Sequence, residues 1–347
     1  MDKKKIVFVI TKSEVGGAQS WVYELKQQID KNYDIFLITS DNGWLATKFD
    51  SKSVFIIRSL SSMKNIMVII KMAIFLRKIN ADVVISSSAN AGIYARLSQI
   101  FYRCRHVYVS HGWSCIYNGG RFKFIFCLIE RLLSLISYKV MCISENDRLN
   151  AIDIIGIDDK KIVCIRNGVS PMPFKHTVNR KKRVLFVGRF VHPKRPDLLL
   201  EVSSYFPHFD FLFVGDGKDR CFLESKYKNN NNVFFLGEIE GFSNFNDYDI
   251  FALCSDSEGL PMSALEVGSA GVPMLLSDVG GCSELIISDN DGRANGELFT
   301  NNVESLVGKI RNITDNYDSY FAMAQSVKGL FDISNVKQKY IDLIEGR

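Results

Sequence analysis

Short apolar runs rich in Val, Ile and Phe alternate with amphipathic stretches of helical period along almost the whole chain. This alternation is the mark of β-α-β units, in which parallel strands are joined by helices that cover the sheet on both faces. Strands are expected at 6–10, 35–39, 54–57, 83–86, 107–110, 139–143 and 163–165, with helices at 18–28, 66–79 and 122–137. The segment 167–179, with Gly168, Pro171 and Pro173, reads as a linker. A second series of strands follows at 183–187, 209–214, 233–236, 250–253 and 273–276, and a last helix at 336–345. A length of 347 residues exceeds the usual range of one domain. The expected fold is therefore α/β, with two doubly wound sheets facing each other across a cleft. The domains are placed at 1–170 and 171–325; the C-terminal helix, about 326–347, could pack on either domain, including back on the first.

Charge is divided between the halves. Residues 1–176 carry 25 Lys and Arg against 14 Asp and Glu, while residues 177–347 carry 18 against 24. The basic half implies an anionic partner: a membrane surface, nucleic acid or a phosphorylated acceptor. Basic-aromatic patches at 64–78 (Lys64, Lys71, Arg77, Lys78) and 121–139 (Arg121, Lys123, Arg131, Lys139) favour an anionic membrane surface. No nucleic-acid motif accompanies the charge, so nucleic acid is not expected as a partner. Most apolar positions in these patches are expected to face the core. The run 6–10 is too short for a signal peptide, and no apolar run reaches 18 residues. Eight cysteines stand singly, without a C-x-x-C, which suits a reducing cytoplasm and argues against zinc. The expected location is cytoplasmic, peripheral to the inner face of the plasma membrane.

The densest chemical signal is SDSEGLPMSALEVGSAGVPMLLSDVGGCS, residues 255–283. Pro261 suits a first helical position, which leaves Glu258 on a loop and Glu266 about one and a half turns into a helix. Two carboxylates so placed grip separate parts of one extended polar ligand. Between them the N–H groups of Met262 and Ser263 point from the helix N-terminus, a setting suited to phosphate. The outline is that of a nucleotide-sugar site.

This arrangement resembles the E-x7-E signature of the retaining, metal-independent glycosyltransferases of family 4, which have the GT-B fold of two Rossmann-like domains. The flanking Glu-Gly-Leu-Pro, Gly-Val-Pro and Asp278-Val279-Gly280-Gly281 follow the same pattern. Arg189 and Lys194, five residues apart after the first strand of the second half, match the positions that stabilise a departing diphosphate. Where the pattern has Gly after this Lys, the chain has Arg195. Ser13-Glu14-Val15-Gly16-Gly17-Ala18 follows the first strand; paired glycines there allow positive φ or close approach of a ligand. The resemblance places this loop against donor phosphate and acceptor. His111 ends a strand before Gly112, where open α/β sheets place ligands, although a lone His also has a purely structural reading. The resemblance assigns it to the reaction centre. Val214-Gly215-Asp216-Gly217 reads as a structural turn, and Arg166-Asn167-Gly168-Val169 as a hinge.

What the resemblance implies is a retaining hexosyltransferase. Its donor is a nucleoside diphosphate sugar, UDP-hexose or UDP-N-acetylhexosamine favoured, and its acceptor a polyprenyl diphosphate-linked glycan of bacterial surface polysaccharide (O-antigen, lipopolysaccharide or capsule). His111, Glu258, Arg189 and Lys194 would act in catalysis. Gly16, Gly17, Arg189, Lys194, Glu258, Gly259, Leu260, Met262, Ser263 and Glu266 would hold the donor, and neither metal nor other cofactor is expected. The alternatives are a sugar-nucleotide epimerase of the same shape, or a non-catalytic sugar-nucleotide binding subunit.

Overall fold

Parallel strands buried on both faces must be apolar throughout, and the first strand meets that demand: Ile6 to Ile10 are at most 1% exposed. The structure, a computed structural model, describes residues 3–62, 65–117 and 119–347, so Lys64 of the first basic patch lies outside the described residues. The chain forms two units, residues 1–167 with 336–347 (unit 1) and residues 168–335 (unit 2).

Unit 1 holds β1 (Lys4–Ile10), β2 (Tyr33–Thr39), β3 (Val54–Ile56), β4 (Val83–Ser87), β5 (Arg105–Ser110), β6 (Lys139–Cys142) and β7 (Ile162–Cys164). They pair in parallel in the order β3-β2-β1-β4-β5-β6-β7. The strand order reverses between β1 and β4, which is where a doubly wound sheet opens a crevice at its carboxyl edge.

Unit 2 holds β8 (Arg183–Val187), β9 (Asp210–Val214), β10 (Val233–Gly237), β11 (Ile250–Leu253), β12 (Met274–Ser277) and β13 (Gly296–Phe299). These too are parallel, in the order β10-β9-β8-β11-β12-β13, with the reversal between β8 and β11. Its core is aromatic, built on Phe186, Phe190, Phe211 and Phe213. The strand β13 is absent from the sequence expectation. Its four residues include Gly296 and Glu297, too little apolar content to signal a strand before a partner is known.

Three further expectations change. The segment 167–179 is not a free linker, because beyond Gly168 it is built into unit 2. Val169 is fully buried, and Lys175 is 2% exposed beside the fully buried Asp249, at 3.2 Å. The Asp249 carboxylate also accepts from the Asn179 and Arg183 backbone N–H groups, so one buried acid anchors the entry into β8. The stretch 326–347 is not one helix: a helix Tyr317–Val327 ends in a 3-10 turn, Lys328–Phe331, and a new helix spans Ser334–Glu345. Within unit 1 this last helix buries Tyr340, whose hydroxyl accepts from Trp21 Nε1 at 2.9 Å.

The helix Lys123–Ile136 is the third. Its apolar positions do not mainly face the core; Phe124 is 79% and Leu135 64% exposed, and Ile125, Leu128 and Leu132 are exposed as well. The stripe turned inward is Cys127, Glu130, Leu133 and Ser134. Glu130 is held there by Arg96, itself fully buried on the helix Ala89–Ser98, with 2.8 Å between Nη1 and carboxylate. With Arg96 buried, turning Glu130 outward would leave that guanidinium unmatched in the interior, at a cost of about 3–5 kcal/mol.

Candidate donor site

The site in unit 2 is built at the strand-order reversal. The loop after β8 and the loop after β11 are stitched together there: Arg195 N–H donates to the Cys254 carbonyl at 2.9 Å, Asp256 N–H donates to the Pro193 carbonyl at 2.8 Å, and Lys194 and Ser255 form an antiparallel bridge. This register carries the Lys194 ammonium onto the Glu258 carboxylate as a direct ion pair. Their side chains are 17% and 11% exposed, so the pair sits in the wall of the crevice. Arg189, which opens the same loop, is exposed and makes no ion pair among the described residues. Lys194 and Glu258 are thus brought into contact, and Arg189 stands exposed on the same loop.

Glycines let these loops approach each other. A Cβ on Gly280, at φ +54°, would overlap the Glu258 carbonyl oxygen, and Gly281 N–H donates to the Gly259 carbonyl at 2.9 Å. The Asp278–Gly281 turn therefore clamps the backbone that presents Glu258, Gly259 and Leu260. A Cβ on Gly215, at φ +138°, would likewise overlap the Gly188 carbonyl oxygen, which fits the structural reading of the Val214–Gly217 turn.

The helix of the motif spans Met262–Ala270, and Pro261 is its N-cap, not its first helical residue. With ψ at 122° Pro261 is still extended, while its carbonyl already accepts from Ala264 and Leu265 N–H. The shift of one residue leaves Met262 and Ser263 in the first turn and Glu266 on the second. Pro261 supplies no side-chain cap, and no acid stands in the first turn to offset the positive end of the helix dipole.

Arg195, the departure from the family pattern, has φ −119°, a conformation open to any residue. Its guanidinium holds Asp197 at 2.8 Å and Asp256 at 3.3 Å, and Asn301 donates to Asp256 at 3.2 Å. This brace joins the β8, β11 and β13 loops. Of it, the sequence signals only Arg195 itself, as the residue out of pattern.

In unit 1 the paired glycines do not use the positive φ that they permit. Gly16 is extended at φ −180° and Gly17 is the first residue of the helix Gly17–Ile29; neither has positive φ. The strand enters its helix through an extended cap, which needs no left-handed residue. One turn into that helix, Trp21 packs edge-on against His111, with 5.0 Å between ring centroids. His111 Nε2 is shielded from solvent and has no hydrogen-bond partner among the described residues. Burial lowers the pKa of His111 to about 4, so the ring is neutral at physiological pH. The support under His111 (Trp21, then Tyr340) gave no local signal, since the partners are distant in sequence.

Two triplets of Asp-x-Asp spacing bear on metal binding. In Asp247-Tyr248-Asp249 the second acid is the buried partner of Lys175, and in Asp289-Asn290-Asp291 both acids face Arg293, at 2.7 and 3.2 Å. Protein cations thus engage three of these four carboxylates.

Two parallel-sheet Rossmann-like units, with a lysine–carboxylate pair and a helix N-terminus at the reversal of the second sheet, define a GT-B glycosyltransferase. The pattern described as glycosyl transferases group 1 matches residues 171–329, and that of glycosyltransferase family 4 matches residues 15–172. The chain is 43% identical over 343 residues to WbnH of Escherichia coli, an O-antigen biosynthesis glycosyltransferase, covering 99% of this chain and 100% of that protein. It belongs to this glycosyltransferase family. It is also 25% identical over 353 residues to the UDP-Gal:alpha-D-GlcNAc-diphosphoundecaprenol alpha-1,3-galactosyltransferase of Escherichia coli, covering 91% of this chain and 90% of that one. Among solved structures, HepE of Anabaena in complex with UDP and glucose superposes with a TM-score of 0.84 at 17% identity, covering 99% of this chain and 100% of that one.

Proposed function

We propose that the protein transfers a hexose or N-acetylhexosamine from a UDP-sugar, with retention of anomeric configuration, to a polyprenyl diphosphate-linked glycan during O-antigen assembly. The observation that carries this reading is the Lys194–Glu258 pair beside the N-terminus of the Met262–Ala270 helix. Without donor the two charges answer each other. When a nucleotide-sugar enters, the ammonium turns to the diphosphate and the carboxylate to the hydroxyls of the sugar, each exchanging one charged partner for another. Arg189, exposed on the same loop, joins Lys194 on the leaving diphosphate, and Glu266 takes the ribose. The helix end and the two cations supply the positive charge that a divalent metal supplies in other transferases, so the reaction proceeds without one. The departing diphosphate takes the acceptor proton as the glycosyl bond forms on the same face, which accounts for retention. Neutral His111 donates to or accepts from a sugar hydroxyl.

The relatives support the pathway: one acts in O-antigen biosynthesis, and another uses UDP-Gal and a sugar diphosphoundecaprenol. The test is release of nucleoside diphosphate from a panel of nucleotide-sugars, with and without a polyprenyl diphosphate-sugar and in excess EDTA. Rapid release that needs the acceptor and survives EDTA is the expected result. Acceptor-independent conversion would favour an epimerase, no turnover at all a binding subunit, and loss in EDTA restored by Mn²⁺ would overturn the charge assignment.

A further inference from the structure

The Lys123–Ile136 helix is inside out for a helix in water. Its packed stripe includes Cys127, Glu130 and Ser134, and its outer side shows Phe124 (79% exposed), Ile125, Leu128, Leu132 and Leu135 (64%). The exposed charges of its own segment are of one sign, although the neighbouring Ala151–Ile155 turn carries the exposed Asp153. Between residues 119 and 139 the sole acid is Glu130, and it is turned inward to Arg96; Arg121 and Arg131 are exposed. Lys123 stands in the first turn, where the helix dipole is already positive and no acid offsets it. The outer surface is therefore apolar, and the exposed charges that its own segment adds to the rim are all cationic.

A second surface of the same kind lies in this helix layer. The Ala89–Ser98 helix packs against both Lys123–Ile136 and Met67–Ile79. On Met67–Ile79, Ile70 and Ile74 are exposed beside Phe101, and they line a groove of about 460 Å³ together with Ala73, Arg77 and Lys78.

We infer that the Lys123–Ile136 helix lies in the plane of an anionic bilayer, with its outer face among the lipid chains and its cations at the headgroup phosphates. Apolar side chains gain by entering the acyl boundary and the Lys and Arg rim gains from anionic lipid, so both features of the surface are met by one partner. At about 1.5 Å per residue the helix is roughly 21 Å long, short of the roughly 30 Å hydrocarbon core, so it lies in the membrane and does not cross it. A second copy of the chain is a poorer occupant: a two-fold contact would set this rim against itself, with no exposed acid in the segment to pair. The inference goes beyond the proposed reaction, since the surface carries none of the donor-site residues.

Full-length protein is mixed with vesicles of phosphatidylglycerol and phosphatidylethanolamine, or of phosphatidylcholine alone, and floated on a density gradient. Wild type is expected to float with the anionic vesicles. A variant combining Phe124→Ser, Leu128→Ser, Leu132→Ser and Leu135→Ser, with wild-type circular dichroism and UDP binding, should partition at least about tenfold less. In a separate variant, Phe124→Trp, the introduced indole should shift to the blue on anionic vesicles and be quenched by brominated lipid chains. The inference is overturned if that indole stays open to aqueous iodide on the vesicles, or if the serine variant floats as wild type does. It is also overturned if neither protein floats and the same serines abolish a lipid-free dimer, which would make the face a contact between copies.

Discussion

At the scale of single residues, the Lys194–Glu258 pair alters what a substitution should do. A carboxylate on a loop would ordinarily be dispensable for stability, but this one is mostly shielded and answered by a shielded ammonium. Removing either partner leaves the other in a poorly solvated wall, at a cost of roughly 1–3 kcal/mol. Lys194→Ala and Glu258→Ala should each destabilise unit 2 by about that amount, and the double variant by clearly less than the sum. Each single variant should also lose about 100-fold or more in transfer, because each charge has a separate task once the donor binds. Denaturant unfolding of the three variants checks the first claim, and additivity within about 0.5 kcal/mol would sink it. Both residues were legible in the sequence as site candidates, since motif spacing marks where chemistry sits. Their contact was not, because it depends on the register between two loops that only the folded β8 and β11 bring side by side.

At the scale of elements, nearly every strand was legible, because a fully buried parallel strand announces itself as an unbroken apolar run. The Lys123–Ile136 helix shows where such reading stops. Its period was evident and so was its polar side, but the usual rule points that side to water, whereas here Cys127, Glu130 and Ser134 face inward, where Glu130 meets Arg96. The Arg96 guanidinium also lies 4.0 Å from the Tyr108 ring centre, and its Nε donates to the Gly92 carbonyl at 2.9 Å. Glu130→Ala would strand that cation in the interior and should cost about 3–5 kcal/mol. Replacing both members, with Arg96→Met and Glu130→Leu, should recover a large part of the loss. If the double variant is no more stable than Glu130→Ala in urea, the pair is not what holds the helix in phase.

At the scale of the whole molecule, the division into two sheets followed from length and alternation, while the return of the Ser334–Glu345 helix to unit 1 rests on contacts such as Tyr340 with Trp21 that no local pattern contains. All three tryptophans, Trp21, Trp44 and Trp113, belong to unit 1, so their fluorescence reports on that unit alone. Tyr340→Ala should open a cavity against Trp21 and lower the stability seen by fluorescence by about 3–5 kcal/mol, while hydrogen exchange in β8 and β11 stays unchanged. An unmoved fluorescence transition would show that the helix contributes nothing to unit 1. The same chain order bears on synthesis. At about 5–20 residues per second, roughly 10–35 s separate the translation of β7 from that of the Ser334–Glu345 helix, and all of unit 2 is made in between. On the ribosome the unit begun first is thus completed second. Until then the face of Trp21 that Tyr340 will cover stays open, which makes the half-made N-terminal sheet the part of the nascent chain in most need of a chaperone.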